Sequence, residues 1–310
     1  MVDVVGVGAN SVDYVYRLPQ FPQPDGPAAK LRMAEHLITC GGQTATALCT
    51  CAAMGLRAAY VGATGRDANG ARIRGELARR GVDAAHAYVR DTPNPFAVIL
   101  LDGRGERLVL WNRDPRLALR PDEVSASVIG RPRLLHVDDT DEEAAIRAAR
   151  LGRDAGIPVT SDIERVAGRT DELVASVTIP IFAEHALEPL TGERDAERAL
   201  RTLRKVRRVF LKPDATYVED LLCVTLGARG AMLLHGDRLY HEPACPVTAV
   251  DTTGAGDVFR GAFIVALLRG DAPADILRFA NAAAAVSCTR IGAISSVPTI
   301  DETRSLVSGL

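Results

Sequence analysis

Asp251-Thr252-Thr253-Gly254-Ala255-Gly256-Asp257 runs directly into Val258-Phe259-Arg260-Gly261-Ala262-Phe263-Ile264-Val265-Ala266-Leu267-Leu268. Val258, Phe259, Ala262, Phe263, Ala266 and Leu267 recur at helical spacing, which predicts a buried helix. Arg269-Gly270 closes it, with a cation in the last turn and a glycine just beyond. The glycines at its start let the backbone approach a ligand closely, because no Cβ stands in the way. The first amides of a helix have no internal partner, and with the helix dipole they favour negative charge. Asp257 falls at the same helix start, where a carboxylate is favoured and stays ionised.

A carboxylate beside free amides suits phosphoryl transfer. The amides of Gly254, Ala255 and Gly256 can hold charge that develops on a transferring phosphoryl group. Asp257 can accept the proton of an attacking hydroxyl. Taken alone, a glycine-rich turn with Asp as an ordinary cap explains the stretch as well. The heptapeptide resembles the C-terminal signature of the ribokinase (PfkB) family of sugar kinases. That resemblance implies that Asp257 is the catalytic base and that residues 254–256 form the anion hole. Asn usually stands where this chain has Arg260.

The chain has 310 residues and a formal net charge of −2, with 37 Lys and Arg against 39 Asp and Glu. That balance argues against nucleic acid or an anionic membrane as partner. The basic cluster Arg201 to Arg208 interleaves with Leu203 and Val206 and reads as a solvated helix face. Met1-Val2-Asp3-Val4-Val5 opens as a strand, without the marks of a signal peptide. No apolar run reaches the ~18 residues of a membrane span. Cys40, Cys49, Cys51, Cys223, Cys245 and Cys288 read as small buried hydrophobes in a reducing compartment, so a cytoplasmic protein is expected.

Toward the N-terminus, Gly6-x-Gly8 hints at a dinucleotide fold. Ser11 takes the place of the third glycine, however, and no helix follows. Val12 to Leu18 alternates like a half-exposed strand and breaks at Pro19. In the family such a strand leads into a small β lid, and the resemblance implies that Asp13 binds sugar hydroxyls. An outward-facing strand residue is the plain alternative. Gly41-Gly42-Gln43-Thr44-Ala45-Thr46 feeds an alanine-rich helix and resembles the signature Gly-Gly-x-x-x-Asn, with Thr46 at the Asn position. Gly41, Gly42 and Gln43 are thereby implied in substrate binding. Gly65-Arg66-Asp67-Ala68-Asn69-Gly70 resembles a Gly-x-Asp-x-x-Gly loop. Val89 to Thr92, Phe96 to Leu101 and Arg107 to Leu110 are β runs expected to complete the lid. Arg113, beside the lone Trp111, aligns with an arginine that faces nucleotide and substrate in ketohexokinase-like relatives. Its planar fork suits a phosphate.

From Leu117 the pattern alternates βα. Asp138 and Asp162 end predicted strands, where open α/β sheets line their ligand crevice. Asp162-Ile163-Glu164-Arg165 resembles an Asp-x-Asn-x-Arg element without its Asn. The Asn-x-x-Glu motif tied to Mg²⁺ falls on Ala183 and Ala186 and is absent. Phe210 to Lys212 and Leu221 to Thr225 are predicted strands. Thr225-Leu226-Gly227-Ala228-Arg229-Gly230 resembles the nucleotide-side turn of the family, which implies nucleotide binding by Thr225, Gly227 and Gly230. Asn281 matches an adenine-side position. Ser287, Gly292 and Ser296 resemble a monovalent-cation loop. With Asp251 and Thr253 they offer the oxygen ligands that suit K⁺.

The expected fold is α/β: a doubly wound, mostly parallel sheet flanked by helices (ribokinase-like), with a small β-sheet lid. The core takes residues 1–12, 38–90 and 114–310, and the lid 13–37 and 91–113. The resemblance implies an ATP-dependent sugar kinase that uses ATP, Mg²⁺ and K⁺ on a primary hydroxyl of a small sugar. A ketose is the first expectation, followed by a nucleoside or a sugar phosphate. A catalytically silent nucleotide-binding regulator is a rival opposed by the intact Asp257. A Rossmann dehydrogenase is opposed by the missing helix after Ser11. An uncovered lid sheet is a liability that a homodimer clasped through the lid would remove.

Overall fold

Short β-branched runs alternate with Ala- and Leu-rich helical stretches, and this alternation fixes the layer arrangement. A computed structural model describes residues 2–104, 106–208 and 220–309. The expected strand Phe210 to Lys212 and the Gly105 of the lid turn lie outside these residues. The central sheet has five parallel strands, in the order β5 (Val82–Arg90), β4 (Ala58–Gly65), β1 (Val4–Val7), β8 (Leu134–Asp138) and β9 (Val159–Asp162). Val4 sits opposite Ala58 on one side and Leu134 on the other. The period of two then sends Val4 and Leu134 into one hydrophobic cluster, and Val5, Val7, Leu135 and Val137 into the other.

Helices cover both faces. α1 (Gln43–Ala53), α2 (Ala68–Arg79), α8 (Ala255–Arg269) and α9 (Pro273–Cys288) bury Leu48, Ile73, Phe263 and Leu277 in the first cluster. α4 (Glu142–Asp154), α5 (Thr170–Ser176), α6 (Glu184–Thr191) and α7 (Ala196–Arg208) bury Ile146, Leu173, Leu187 and Leu200 in the second. The short α3 (Ala126–Ile129) and the terminal α10 (Ile300–Ser308) complete the set. Beyond β9 the sheet goes on through two parallel bridges, Thr160 to Ile179 and Ile163 to Phe182. They lead into β10 (Ile181–Ala183), β11 (Leu221–Thr225), β12 (Ala231–His235) and β13 (Arg238–Glu242). The last three strands are antiparallel, because the turns joining them are too short for a crossover.

The lid is a separate four-stranded sheet, ordered β3 (Glu35–Gly41), β2 (Ser11–Arg17), β6 (Phe96–Leu101) and β7 (Arg107–Asn112). Pairing of β2 with β3 is continuous from Ser11–Gly41 to Arg17–Glu35. The sheet therefore takes in Ser11, Val12 and residues 38–41, which the sequence reading assigned to the core. Val89 and Arg90 pair with Thr64 and Gly65 in the central sheet and not with lid strands. Val15, Ala97 and Ile99 form a small lid core that packs on Leu37 and Ile291. The edge strand β7 exposes Leu108, Val109, Leu110 and Trp111, the last at 68 %.

One contact brings the two ends of the chain together. α1 and α8 lie side by side, and a Cβ on Gly261 would fall 2.5 Å from the Ala47 carbonyl oxygen and from Thr50 Cβ. Backbone cannot yield there as a flexible side chain would. Gly261→Ala should lower the free energy of unfolding by about 1–3 kcal/mol through overpacking, read as an earlier midpoint in urea. An unchanged midpoint would show that the helices slide apart without cost.

Candidate active site

α8 starts from Gly254, whose φ of 76° suits glycine, and a Cβ there would fall 2.5 Å from that of Ala293. α1 starts from Gly42, whose φ is 99° and whose Cβ would fall 2.4 Å from Asn10 Cα. Neither helix start is capped by a side chain. The Cβ position of Gly254 is also 3.6 Å from Thr46 of α1. Both helix N-termini, and both sequence signatures, thus reach the same cleft.

Asp13 enters that cleft from β2. It is 5 % exposed, and its Oδ1 accepts a bond from Ser11 Oγ at 2.7 Å. A Cβ on Gly41 would lie 2.4 Å from Asp13 Oδ2, so only glycine fits beside the carboxylate. Burial pushes the Asp13 carboxyl up to about 6, with the Ser11 hydroxyl opposing and the Asp251 charge adding. Gln43 Oε1 accepts from Thr140 Oγ1 at 3.2 Å. Gln43 Nε2, Thr46 Oγ1 and Thr39 Oγ1 are buried without a hydrogen-bond partner. Buried polar atoms are normally paired, so unpaired ones beside Asp13 fit a polar ligand. Asp138, at the end of β8, has a different task. It accepts from the Ala9 amide at 2.7 Å, Thr44 Oγ1 at 2.8 Å and the Thr140 amide at 3.0 Å, bracing the β1 loop against α1.

Asp257 occupies the first turn of α8 and is 9 % exposed. The sequence predicts that the helix start keeps Asp257 ionised, but burial and then the Glu164 carboxylate push it up to about 8, while Arg260 pulls it down. Carboxylate oxygens of Asp162, Glu164 and Asp257 lie within 4.8 Å of one another. Arg260 is fully buried among them and pairs with Asp162 at 2.6 Å. Its position was noticed in the sequence as a departure, but its partners come from β9, and no local signal announces them.

A cavity of about 670 Å³ opens on the other side of the α8 start. Thr225, Gly227, Gly230 and Asn281 line it together with Ala255 and Gly256. The four residues expected at the nucleotide therefore share one cavity with the glycine turn that starts α8. Gly230 has a φ of 87°, and a Cβ there would fall 2.0 Å from the Glu242 carbonyl oxygen. Asn281 Nδ2 donates to the carbonyls of Glu242 and Pro243, fixing the cavity wall. An adjoining cavity of about 710 Å³ is lined by Glu184, His185, Glu188 and Arg194, and shares Thr225 and Gly227. Glu184 pairs with Arg229, and Glu188 with Arg194.

Arg113 is not brought to these cavities. Its Nη2 bonds both oxygens of Asp141, at 2.9 and 2.7 Å, and the Leu117 carbonyl. The lid arginine that lines the nucleotide-side cavity is Arg107 at the start of β7, whose Nη1 donates to Thr252 Oγ1 at 3.1 Å. Sequence reasoning missed it, since it looked like the first residue of an ordinary lid strand. In the expected cation loop, Asp251 accepts from the Thr253 amide and hydroxyl, and from the Gly292 amide at 2.8 Å. Asp251 is 3 % exposed, and among the described residues no Lys or Arg pairs with it. A buried carboxylate without a basic partner fits a cation. The hydroxyls of Ser287 and Ser296 donate to the Ala284 and Ala293 carbonyls. Of the six free cysteines, Cys245 and Cys288 border the nucleotide-side cavity. Among the described residues, no helix is long and apolar enough to cross a membrane.

The chain is similar to known proteins in sequence and in fold. The chain is similar to a ribokinase of Haemophilus influenzae, 27 % identical over 309 residues, covering 96 % of this chain and 95 % of that protein. It is likewise similar to an ATP-dependent ribose-1-phosphate kinase of Halopiger xanaduensis, 28 % identical over 311 residues and 99 % of each chain. A crystal structure of a candidate ribokinase from Agrobacterium tumefaciens superposes with a TM-score of 0.88 at 29 % identity, over 99 % of this chain and 98 % of that one. The Arabidopsis thaliana ribokinase complexed with ribose and ATP shares the fold, with a TM-score of 0.79 at 24 % identity and 99 % coverage of both. The profile of the pfkB family carbohydrate kinases matches residues 3–300, and the chain belongs to that family of phosphotransferases.

Proposed function

We propose that this kinase transfers the γ-phosphoryl group of ATP, brought in as its Mg²⁺ complex, to a primary hydroxyl of a small sugar. The observation that carries the reading is the shared cleft. The α8 turn borders the nucleotide-side cavity through Ala255 and Gly256 and approaches Thr46 of α1 at Gly254, while the buried Asp257 feels the charge of Asp13. Asp13 orients the sugar, with Gly41, Gly42 and the free amide nitrogen of Gln43. Asp257 takes the proton of the attacking hydroxyl. The amides of Gly254, Ala255 and Gly256 hold the charge that develops on the transferred group. Thr225, Gly227, Gly230 and Asn281 shape the space for the nucleoside. A monovalent cation such as K⁺ would sit by Asp251, with Thr253, Gly292 and Ser296 close by, and supply fixed positive charge near the anion-binding turn.

A ketose is the first acceptor to test. Glu164 after β9 and the missing Asn-x-x-Glu motif support it, whereas the paired Arg113 no longer does. A phosphorylated sugar is the second reading. Arg165 reaches Thr140 Oγ1 at 3.0 Å, next to Gln43, and so places a cation at the edge of the sugar side. A nucleoside is a third acceptor within the same chemistry. The exposed apolar strand β7 supports a dimer formed lid to lid.

ATP consumption against ketoses, aldoses, nucleosides and ribose 1-phosphate should show turnover with a ketose above the others. Nucleotide binding with no turnover on any acceptor would instead mark a silent regulator. Asp257→Asn should lower kcat by at least about 100-fold and leave ATP affinity within a few-fold; retained kcat would remove Asp257 from its role. Because Asp257 must be ionised to accept a proton, kcat/KM should rise with pH and level off near the value of about 8 set by burial. A profile flat from about pH 6 to 9 would contradict a buried carboxylate base. Sedimentation of the wild type should give a dimer that Trp111→Glu converts to a monomer; a monomeric wild type would dismiss the lid contact.

A further inference from the structure

Behind the base lies a charged layer that the transfer step above does not use. Arg260 stands three residues after Asp257 on α8 and is 0 % exposed. Its Nη2 is 2.6 Å from Asp162 Oδ1. A Cβ on Gly256 would meet Arg260 Nη1 at 2.7 Å and Glu164 Oε1 at 3.8 Å, so guanidinium and carboxylate lie directly under the anion-binding turn. Three carboxylates with oxygens within 4.8 Å of one another repel in a site that buries Asp162 fully and the other two in part. Such a cluster ordinarily shares a proton or holds a metal ion. Here a side chain supplies the cation, and arginine keeps its charge at any relevant pH. Asp162 Oδ1 and Oδ2, and Arg260 Nε and Nη2, are buried with no well-formed hydrogen bond. The guanidinium therefore acts on its neighbours mainly through charge.

We infer that Arg260 is a positioning residue of the phosphoryl-transfer site: with Glu164 it sets the charge state of Asp257, standing where three clustered carboxylates would otherwise need a metal ion. The inference rests on the reading of Asp257 as the base. Arg260 lines neither cavity and stands one turn beyond Asp257 on α8. The charged and titratable groups around the pair come from several elements. Asp257 is faced by Glu164 beyond β9, Asp138 at the end of β8 and Asp13 on β2, besides Arg260 itself. Arg260 is faced by Asp162 of β9, Glu164, Asp257 and Cys223 of β11. His136 of β8 feels the Arg260 charge as well, and burial with that charge keeps it neutral, down to about 3. Asp139 adds its charge at Asp162. Glu164 raises and Arg260 lowers the proton affinity of Asp257, in keeping with opposed roles.

The test is the pH profile of kcat/KM in four proteins: wild type, Arg260→Met, Arg260→Lys and Glu164→Gln. R260M should move the acid limb up by about one pH unit or more, lowering kcat/KM near pH 7 by about tenfold and recovering it in alkali. E164Q should move the limb down. R260K, which keeps the charge, should leave it within about half a unit of wild type. KM for ATP should stay within about threefold throughout, because no contact to the nucleotide is lost. A limb that stays in place in both R260M and E164Q overturns the inference. Should R260M fail to fold, with Asp162 left buried and unpaired, E164Q and R260K decide: an unmoved E164Q limb overturns it. Asp257→Asn separates the two levels. Turnover retained in D257N sinks the base itself, whereas an inactive D257N with unmoved limbs in the other variants sinks only the role of Arg260 and Glu164.

Discussion

Two helices, each presenting its positive end to the same cleft, are the constraint on which the rest of this structure depends. Helix N-termini of like sign repel unless an anion lies between them. α1 and α8 can run together only because Gly261 lets backbone touch backbone, and they can begin where they do only because Gly42 and Gly254 adopt positive φ. The same contact decides what else reaches the cleft. α1 follows β3 after the single residue Gly42, so the lid strands are tied directly to the anion-binding end. Asp13, paired across from Thr39 in those strands, is therefore delivered beside Gly41 whenever the lid is in place. Asp257 is one turn into α8 and needs no separate support. The acidic side chains complete the electrostatics that the helix ends begin.

The placement of residues grouped in a contiguous motif was legible in the sequence. Gly254, Gly256 and Asp257 form one such stretch, and Thr225, Gly227 and Gly230 another, so the glycine spacing alone points to close backbone approach. The lid was legible as alternating strands. Its limits were not, because pairing continues past the residue where hydrophobic alternation stops, as at Ser11 and Gly41. Side chains that act across long sequence separations were the hard cases. Arg113 had a good local context, yet Asp141 holds it, and nothing near residue 113 hints at that capture. Arg107 and Arg260 show the opposite error. The first lines a cavity from the mouth of a strand, and the second owes its surroundings to β9, roughly one hundred residues away in the chain. The junction of the antiparallel half of the sheet with β9 rests on two isolated bridges that leave no trace in composition.

Burying Arg260 with Asp162 costs desolvation of two ions, and such pairs rarely stabilise a fold beyond what apolar residues of similar size achieve. A valine or leucine pair would fill the space between α8 and β9 at lower risk. The charges make sense only in relation to what lies above them. Asp257 sits in a dry pocket with acidic neighbours, so its carboxylate form is penalised in the free protein. Without an internal cation, the penalty would keep the group protonated at any moderate pH. With a full metal ion beneath it, the carboxylate would be held too firmly to take a proton. A guanidinium shared with Asp162 and Glu164 is an intermediate solution.

On the proposed reading, this balance also explains why ATP alone would be a poor substrate pair with water. In the free site burial and Glu164 raise the proton affinity of the base, against the pull of Arg260. A cation beside Asp251 and the metal on the nucleotide would add positive charge that favours ionisation. A sugar hydroxyl held by Asp13 would by then fill the position that water would need, and a lid closing over it would lower the local dielectric further. A base that becomes competent last, after acceptor and nucleotide are both seated, ties proton removal to a filled cleft. The helix ends draw the phosphates in.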